Sequence, residues 1–307
     1  MVAPPLCSPT SLSARTGAFL VLLLSACSGG ARREASFDDD VSNTDPDASD
    51  TKNAFEESDS GTISTGEENL PSEVWGHSSN TLYKLDPTTK AVTVVGKFDG
   101  CSDIIDIALD ESSVMYATTK KALYTIDKSS ASCTKIADGA YPNSLSFVPK
   151  GTLDPDSEAL VGFSDDNEYI RINTSTGDVT VIKADALGSS LKSSGDIVSV
   201  KKGGTYLTVK AAGNSGKCSK VDCLVKLNPA TGQVLLNYGE IGHQEVFGLA
   251  YWAGKAYGFS SGGSLFEITF DGQTVKTSSI SIADKPAGLS FWGAGSTTSA
   301  PIAAPTN

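Results

Sequence analysis

The chain has no apolar run long enough to cross a bilayer. Its one sustained apolar stretch, residues 18–24, is seven residues long, against the ~20 that a spanning helix requires. Basic residues are in the minority, 24 Lys and Arg against 36 Asp and Glu for a net charge of −12, which argues against nucleic-acid binding, since that needs a basic face. Only two histidines occur, His77 and His243, and they are far apart. No Gly-x-Ser-x-Gly elbow, phosphate loop or His-Glu-x-x-His site is present, which removes the commonest hydrolase, nucleotide and zinc-protease readings. From residue 74 onward no apolar pattern of period 3.6 persists, which argues against helices.

What is present begins at the N-terminus. Arg15 precedes the short apolar run, and Leu24-Ser25-Ala26-Cys27 closes it, the layout of a secretory signal. Those four residues resemble the lipobox of bacterial lipoproteins. The resemblance implies a signal peptide over 1–26, cleavage before Cys27, and acylation of the Cys27 thiol, which then holds the protein on the lipid bilayer. Two or more acyl chains anchor stably where one does not. In that family an Asp after the cysteine often marks retention at the inner membrane. Ser28 stands there instead, which points to the cell envelope at the outer membrane of a Gram-negative bacterium.

Residues 28–72 hold Arg32, Arg33 and Lys52 against twelve acidic residues, and few apolar ones. Such a stretch buries too little apolar surface to offset its ordering entropy, and its charges repel. Residues 27–72 therefore read as a lipidated cysteine followed by a disordered acidic linker. Asp45, Asp47 and Asp50 lie at short spacing, but the central Gly and final Glu of an EF-hand loop are missing, and no metal site is assigned. Cys7 leaves with the signal, so Cys101, Cys133, Cys218 and Cys223 remain to pair. Four cysteines allow three pairings. Export favours disulfides over metal ligation, and local spacing favours Cys101–Cys133 with Cys218–Cys223.

From residue 74 one segment type recurs five times, as Leu82-Tyr83-Lys84-Leu85, Leu123-Tyr124-Thr125-Ile126, Tyr169-Ile170-Arg171-Ile172, Leu224-Val225-Lys226-Leu227 and Leu265-Phe266-Glu267-Ile268. A polar residue between apolar ones marks a half-buried strand. Turns such as Asp86-Pro87-Thr88-Thr89-Lys90 and Asn228-Pro229-Ala230-Thr231-Gly232 follow, with Asp or Asn capping the bend, and then a second, valine-rich strand. Two more strands precede each hairpin, one opening at Asp106, Ser144, Asp196, Gly248 and Gly288, the other at Tyr116, Val161, Leu207 and Tyr257. Trp75-Gly76-His77-Ser78 is a copy of the latter standing first in the chain. Four strands per unit of about 40–55 residues is the arithmetic of a propeller blade. The expected fold is all-β, a five-bladed β-propeller over 73–293 in which the N-terminal strand near Trp75 and the C-terminal strand Gly288 to Phe291 complete one blade. Residues 294–307 read as a disordered tail. The strand and turn pattern resembles propellers with YVTN-, NHL- or quinoprotein-like repeats. The resemblance implies architecture alone, and without the Trp and Gly docking pattern of quinoprotein blades it implies no cofactor.

Propellers commonly work at the central funnel. The loops leading into the first strands carry Asp103, Asn143, Ser193 and the group His243-Gln244-Glu245, together with Asp284-Lys285-Pro286, and a rim built from them suits a sugar, a peptide or peptidoglycan. Asp103, Asp106 and Asp196 are the funnel ligand candidates, the last two also as strand-start carboxylates that bind backbone amides. No catalytic group stands out. His243 with Glu245 is the one pair suggestive of acid–base work, the basis of an alternative in which the head is a lyase or hydrolase on an envelope glycan or peptide. His77 takes a position filled by Thr118, Phe163, Val209 and Phe259 in other blades, which argues for packing. Trp252 and Trp292 end equivalent strands and offer a stacking surface. The leading expectation is a lipid-anchored, non-catalytic binding or scaffold module for an envelope protein or glycan.

Overall fold

The computed structural model describes residues 73–283 and 285–304. Cys27, the signal segment, the acidic linker and Asp284 lie outside the described residues. Twenty strands form five antiparallel sheets of four. The chain opens with β1 (Val74–His77), β2 (Thr81–Leu85) and β3 (Val92–Lys97). Three complete blades follow: β4 (Asp106–Leu109), β5 (Met115–Thr118), β6 (Ala122–Ile126) and β7 (Cys133–Asp138); then β8 (Ser146–Val148), β9 (Ala159–Phe163), β10 (Tyr169–Ile172) and β11 (Val179–Lys183); then β12 (Leu191–Val200), β13 (Gly204–Ala211), β14 (Cys223–Leu227) and β15 (Val234–Glu240). The fourth is β16 (Val246–Trp252), β17 (Lys255–Ser260), β18 (Leu265–Asp271) and β19 (Thr274–Ile280), and β20 (Gly293–Ser296) returns to β1. The inner strands pack in a closed ring, β20 on β4, β4 on β8, β8 on β12, β12 on β16 and β16 on β20. The protein is a five-bladed β-propeller closed by its own ends.

Burial explains the strand order. β4, β8 and β20 are buried throughout, whereas the outer strands β3, β7 and β11 are mostly exposed. Neighbouring inner strands belong to different sheets, so their amides need side-chain acceptors. Ser146 Oγ accepts from Ser199 N at 3.2 Å, Asp196 Oδ2 from Leu249 N at 2.7 Å, and Ser296 Oγ from Tyr251 N at 2.9 Å. These three bonds stitch β8 to β12, β12 to β16 and β16 to β20. Small residues permit the approach: a Cβ on Gly195 would lie 2.3 Å from Val246 O. The hairpin turns repeat as expected. Asp86, Asp127, Asn173 and Asn228 each accept from the amide two residues on, at 2.8 to 2.9 Å. The positive-φ corner is Gly177 and Gly232 in two turns, but Lys90 and Ala131 in the others.

Two expectations are corrected. The closing strand is Gly293–Ser296, not Gly288 to Phe291. It pairs with β1 in the register Val74↔Ser296 through His77↔Gly293. Phe291 is instead a fully buried plug, edge-on to Tyr83 at 5.8 Å and to Phe259 at 5.2 Å. The segment after Phe291 is also ordered well beyond the expected start of a tail at 294. Thr297, Thr298 and Ala300 are buried. Thr298 O accepts from Lys201 N at 2.8 Å, Pro301 O accepts from Ala253 N at 2.7 Å, and the Thr298 hydroxyl bonds the Glu158 carboxylate. The segment thus crosses the turns that end the inner strands β12 and β16. Residues 305–307 lie outside the described residues.

Both expected disulfides are present. Cys101–Cys133, with Cα atoms 5.8 Å apart, ties the β3–β4 connection to the outer strand of the next blade, and Cys218–Cys223, at 5.3 Å, closes the β13–β14 loop.

Candidate functional site

Register places the start of each inner strand beside the end of the second strand, as Asp106↔Thr118 and Gly248↔Phe259 show. The loops leading into inner strands and the turns between second and third strands therefore share one face, called upper here. The innermost residues on that side are Asp106, Ser144, Asp196, Gly248 and Gly293 on the first strands or just before them. Their counterparts on the second strands are His77, Thr118, Phe163, Thr208 and Phe259; Thr208, not Val209, is the equivalent of His77, because it pairs with Leu224 as His77 pairs with Leu82.

Asp106 and Asp196 do not line open space. Both are 0% exposed. Asp106 Oδ1 accepts from Ile107 N at 2.8 Å, and Asp196 Oδ1 from Ile197 N at 2.7 Å, the strand-start bonding expected of them. The two carboxyls lie close enough for each to shift the other's proton affinity. Burial raises both above the usual carboxylate range; the Asp196 charge raises Asp106 further, while the amides of Leu249 and Ile197 pull Asp196 back. Asp106 Oδ2 has no donor among the described residues, so it serves best as the atom that keeps a proton for Asp196. His77, fully buried, bonds Ser78 O through Nδ1 at 2.8 Å, and burial lowers its pKa to about 4. Its Nε2 has no protein partner among the described residues. The site of a Cβ on Gly293 would be 2.4 Å from both Asp106 Oδ1 and His77 Nε2. The axis is thus floored by a dense polar knot. Among the described residues no three His, Cys, Asp or Glu side chains gather at a spacing suited to a metal ion.

Above that floor the mouth holds two adjoining cavities. The first, about 290 Å³, is lined by Lys120, Lys192, Lys210, Asn143 and Ser193 together with Phe163 and Phe247. The second, about 830 Å³, is bordered by Lys120, Lys121, Lys135, Asp103, Tyr124 and Trp292. Lys120 belongs to both, so one surface runs from the β13 end of the mouth to the Cys101–Cys133 disulfide. Lys120 pairs with Asp165 at 3.7 Å with both side chains exposed, an arrangement worth little and readily exchanged for a ligand.

The candidates from sequence fall into three places. Asp103, Asn143 and Ser193 border the cavities. Asp106 and Asp196 form the floor. His243 and Glu245 lie apart from both cavities' linings: His243 is half-buried and stacked on Phe266 at 3.7 Å, with burial lowering its pKa. Glu245 is exposed and bonds the Ser261 hydroxyl. No hydrogen bond joins the two. Trp252 is buried, 5% exposed, whereas Trp292 reaches the second cavity. The five lysines escaped the sequence reading. The available signal was position: Lys120 and Lys121 follow β5, and Lys210 is the penultimate residue of β13.

No protein-family model matches the chain. No curated protein matches it in sequence. Similar solved structures include a Bacteroides caccae protein of unknown function, 13% identical with a TM-score of 0.39 over 72% of this chain and 77% of that one. BamB from Moraxella catarrhalis is 9% identical, with a TM-score of 0.33 over 66% and 73%. The periplasmic gluconolactonase PpgL of Pseudomonas aeruginosa is 13% identical, with a TM-score of 0.35 over 71% and 69%. At these identities and scores the likenesses carry no conclusion about ligand or activity.

Proposed function

We propose that the protein is a cell-envelope lipoprotein, anchored through acylated Cys27, whose propeller head binds a ligand at the upper mouth without transforming it. The observation that supports the binding role is the pair of cavities joined at Lys120. They combine exposed cations, hydroxyls and amides with aromatic walls, and they stand on strands held by a closed ring. Ligand sites favour such concave, largely preformed surfaces with a few polar groups. The anchor rests on the likeness of Leu24-Ser25-Ala26-Cys27 to a lipobox.

Two measurements test the proposal. Mass spectrometry of the N-terminal peptide from membranes is expected to find Cys27 as the acylated first residue, and Cys27→Ala is expected to release the head from the membrane fraction. A soluble, unmodified wild-type chain defeats the anchor. Immobilised protein is expected to retain an envelope component that a Lys120→Ala, Lys192→Ala, Lys210→Ala triple variant does not. Equal retention by the variant defeats the mouth as the binding surface.

A further inference from the structure

Charge at the mouth runs against the charge of the chain. The sequence is −12 overall, yet the smaller cavity sets Lys120, Lys192 and Lys210 against the single carboxylate of Asp165. The larger adds Lys121 and Lys135, facing Asp103 and Asp138, and the Lys135 ammonium already pairs with Asp138. Of the remaining cations, Lys120 and Lys121 stand between β5 and β6, while Lys192 and Lys210 face each other across the β12–β13 ladder. Positive charge therefore gathers at two places in the mouth, the Lys120–Lys121 turn and the Lys192–Lys210 pair, rather than at one point. That distribution suits a chain carrying repeated negative charges better than one isolated phosphate, because each anionic group finds its own ammonium.

The neutral lining narrows the class. Asn143, Ser164 and Ser193 offer groups that both donate and accept, the complement of sugar hydroxyls. Trp292 and Tyr124 supply aromatic walls in the larger cavity, and the apolar faces of sugar rings pack well on such surfaces. We propose that the mouth binds an acidic oligosaccharide, its carboxylates paired with Lys120, Lys192 and Lys210 and a sugar ring held against Trp292. This rests on the reading of the mouth as a binding surface and specifies its ligand.

The test is calorimetric titration of the full chain in detergent with oligogalacturonate. Parallel titrations use its methyl ester, a neutral maltooligosaccharide of equal length, and oligoglutamate. The acidic sugar is expected to bind, with affinity falling as salt is raised. Methyl esterification is expected to weaken it at least tenfold. Lys192→Gln and Lys210→Gln are each expected to weaken it roughly tenfold, the scale of one charge-assisted hydrogen bond. Trp292→Ala is expected to weaken both the acid and its ester, which separates stacking from charge. All three altered side chains are at least partly exposed, and unchanged thermal unfolding establishes that the variants are folded. Equal binding of the neutral sugar or of the ester overturns the inference and leaves a mouth that reads hydroxyls. Equal or tighter binding of oligoglutamate overturns it in favour of an acidic peptide. If none of the four binds while immobilised protein still retains an envelope component through the lysines, the saccharide inference falls alone. If nothing is retained either, the binding reading falls with it.

Discussion

The residues at the axis set opposing pH responses. His77 is neutral in the fold, with a pKa of about 4 against 6.5 when free. A lowered value means stability that is present above pH 6.5 and lost as pH falls toward 4, worth roughly 3 kcal/mol for a shift of this size. Asp106 and Asp196 are shifted upward. Their contribution is complete below the ordinary carboxylate range near pH ~4 and is lost as pH rises toward their folded values. Asp222 and Glu158, also raised by burial, act in the same direction. From pH ~4 upward the carboxylate contribution declines while the His77 contribution grows until pH ~6.5, so the two trends oppose each other. Denaturant unfolding across pH is expected to show the carboxylate part as a fall in stability toward alkaline pH. Asp106→Asn, which keeps a donor toward Asp196, is expected to flatten that fall at little cost in stability. Asp196→Asn is expected to cost about 1–3 kcal/mol more, because one amide oxygen cannot accept from both Leu249 and Ile197 as two carboxylate oxygens do. An alkaline fall unchanged in Asp106→Asn defeats the shared-proton account.

Among the elements, β20 shows how sequence and structure part company. Gly293-Ala294-Gly295-Ser296 has no large side chain, yet every residue of it is buried. It fits because Gly293 occupies the gap between Asp106 and His77, where a Cβ would stand 2.4 Å from each. Gly293→Ala is expected to destabilise by about 1–3 kcal/mol, the usual cost of overpacking. Gly213→Ala, where a Cβ meets nothing within 4 Å, is expected to stay within about 0.5 kcal/mol in the same denaturation assay. Equal effects at the two sites would show that the axis yields. The same feature explains what could be read in advance. Strands such as β6 and β14 were visible because buried apolar residues flank one polar residue, Thr125 or Lys226, in each. β20 packs by closeness of backbone, so its signature is small size, whereas the apolar Phe291 just before it carries the plainer strand signal. Asp103, Asn143 and Ser193 were legible at the mouth because they sit in loops leading into recognisable strands. Lys192 and Lys210 were not, since an exposed lysine at a strand end looks like any solubilising charge until the ring gathers it with others.

At the scale of the whole molecule, stability depends on joining ends more than two hundred residues apart. Contacts between blades repeat around the ring: Tyr169 OH donates to Pro229 O at 2.7 Å, Tyr141 OH to Gly177 O at 3.0 Å, and Lys90 Nζ lies 2.7 Å from Glu267. Three of the turns that follow a third strand thus grip a neighbour. Those contacts hold adjacent blades, and Lys90 with Glu267 also bridges the two ends of the chain, but β1 with β20 is the strand ladder that closes the circle. Removing residues 293–307 is expected to expose the free edge of β1, abolish the single cooperative melting transition and promote association, as an uncovered strand edge does. Removing 305–307 is expected to leave the transition in place. Calorimetry on the two truncations separates these outcomes, and cooperative melting of the longer truncation would mean that closure is dispensable.

The path of β1 has a mechanical consequence. Its first residue, Val74, pairs with Ser296 and Leu85 at the end of the blade opposite His77, so the chain arrives on the side away from the lysine-lined cavities. Tension on the polypeptide ahead of Glu73, directed along β1, loads its ladders to β20 and β2 in shear. Antiparallel bonds lie perpendicular to the strand, so they share that load and yield together. A head tugged from its leading end therefore resists as a zipper gripped along its length.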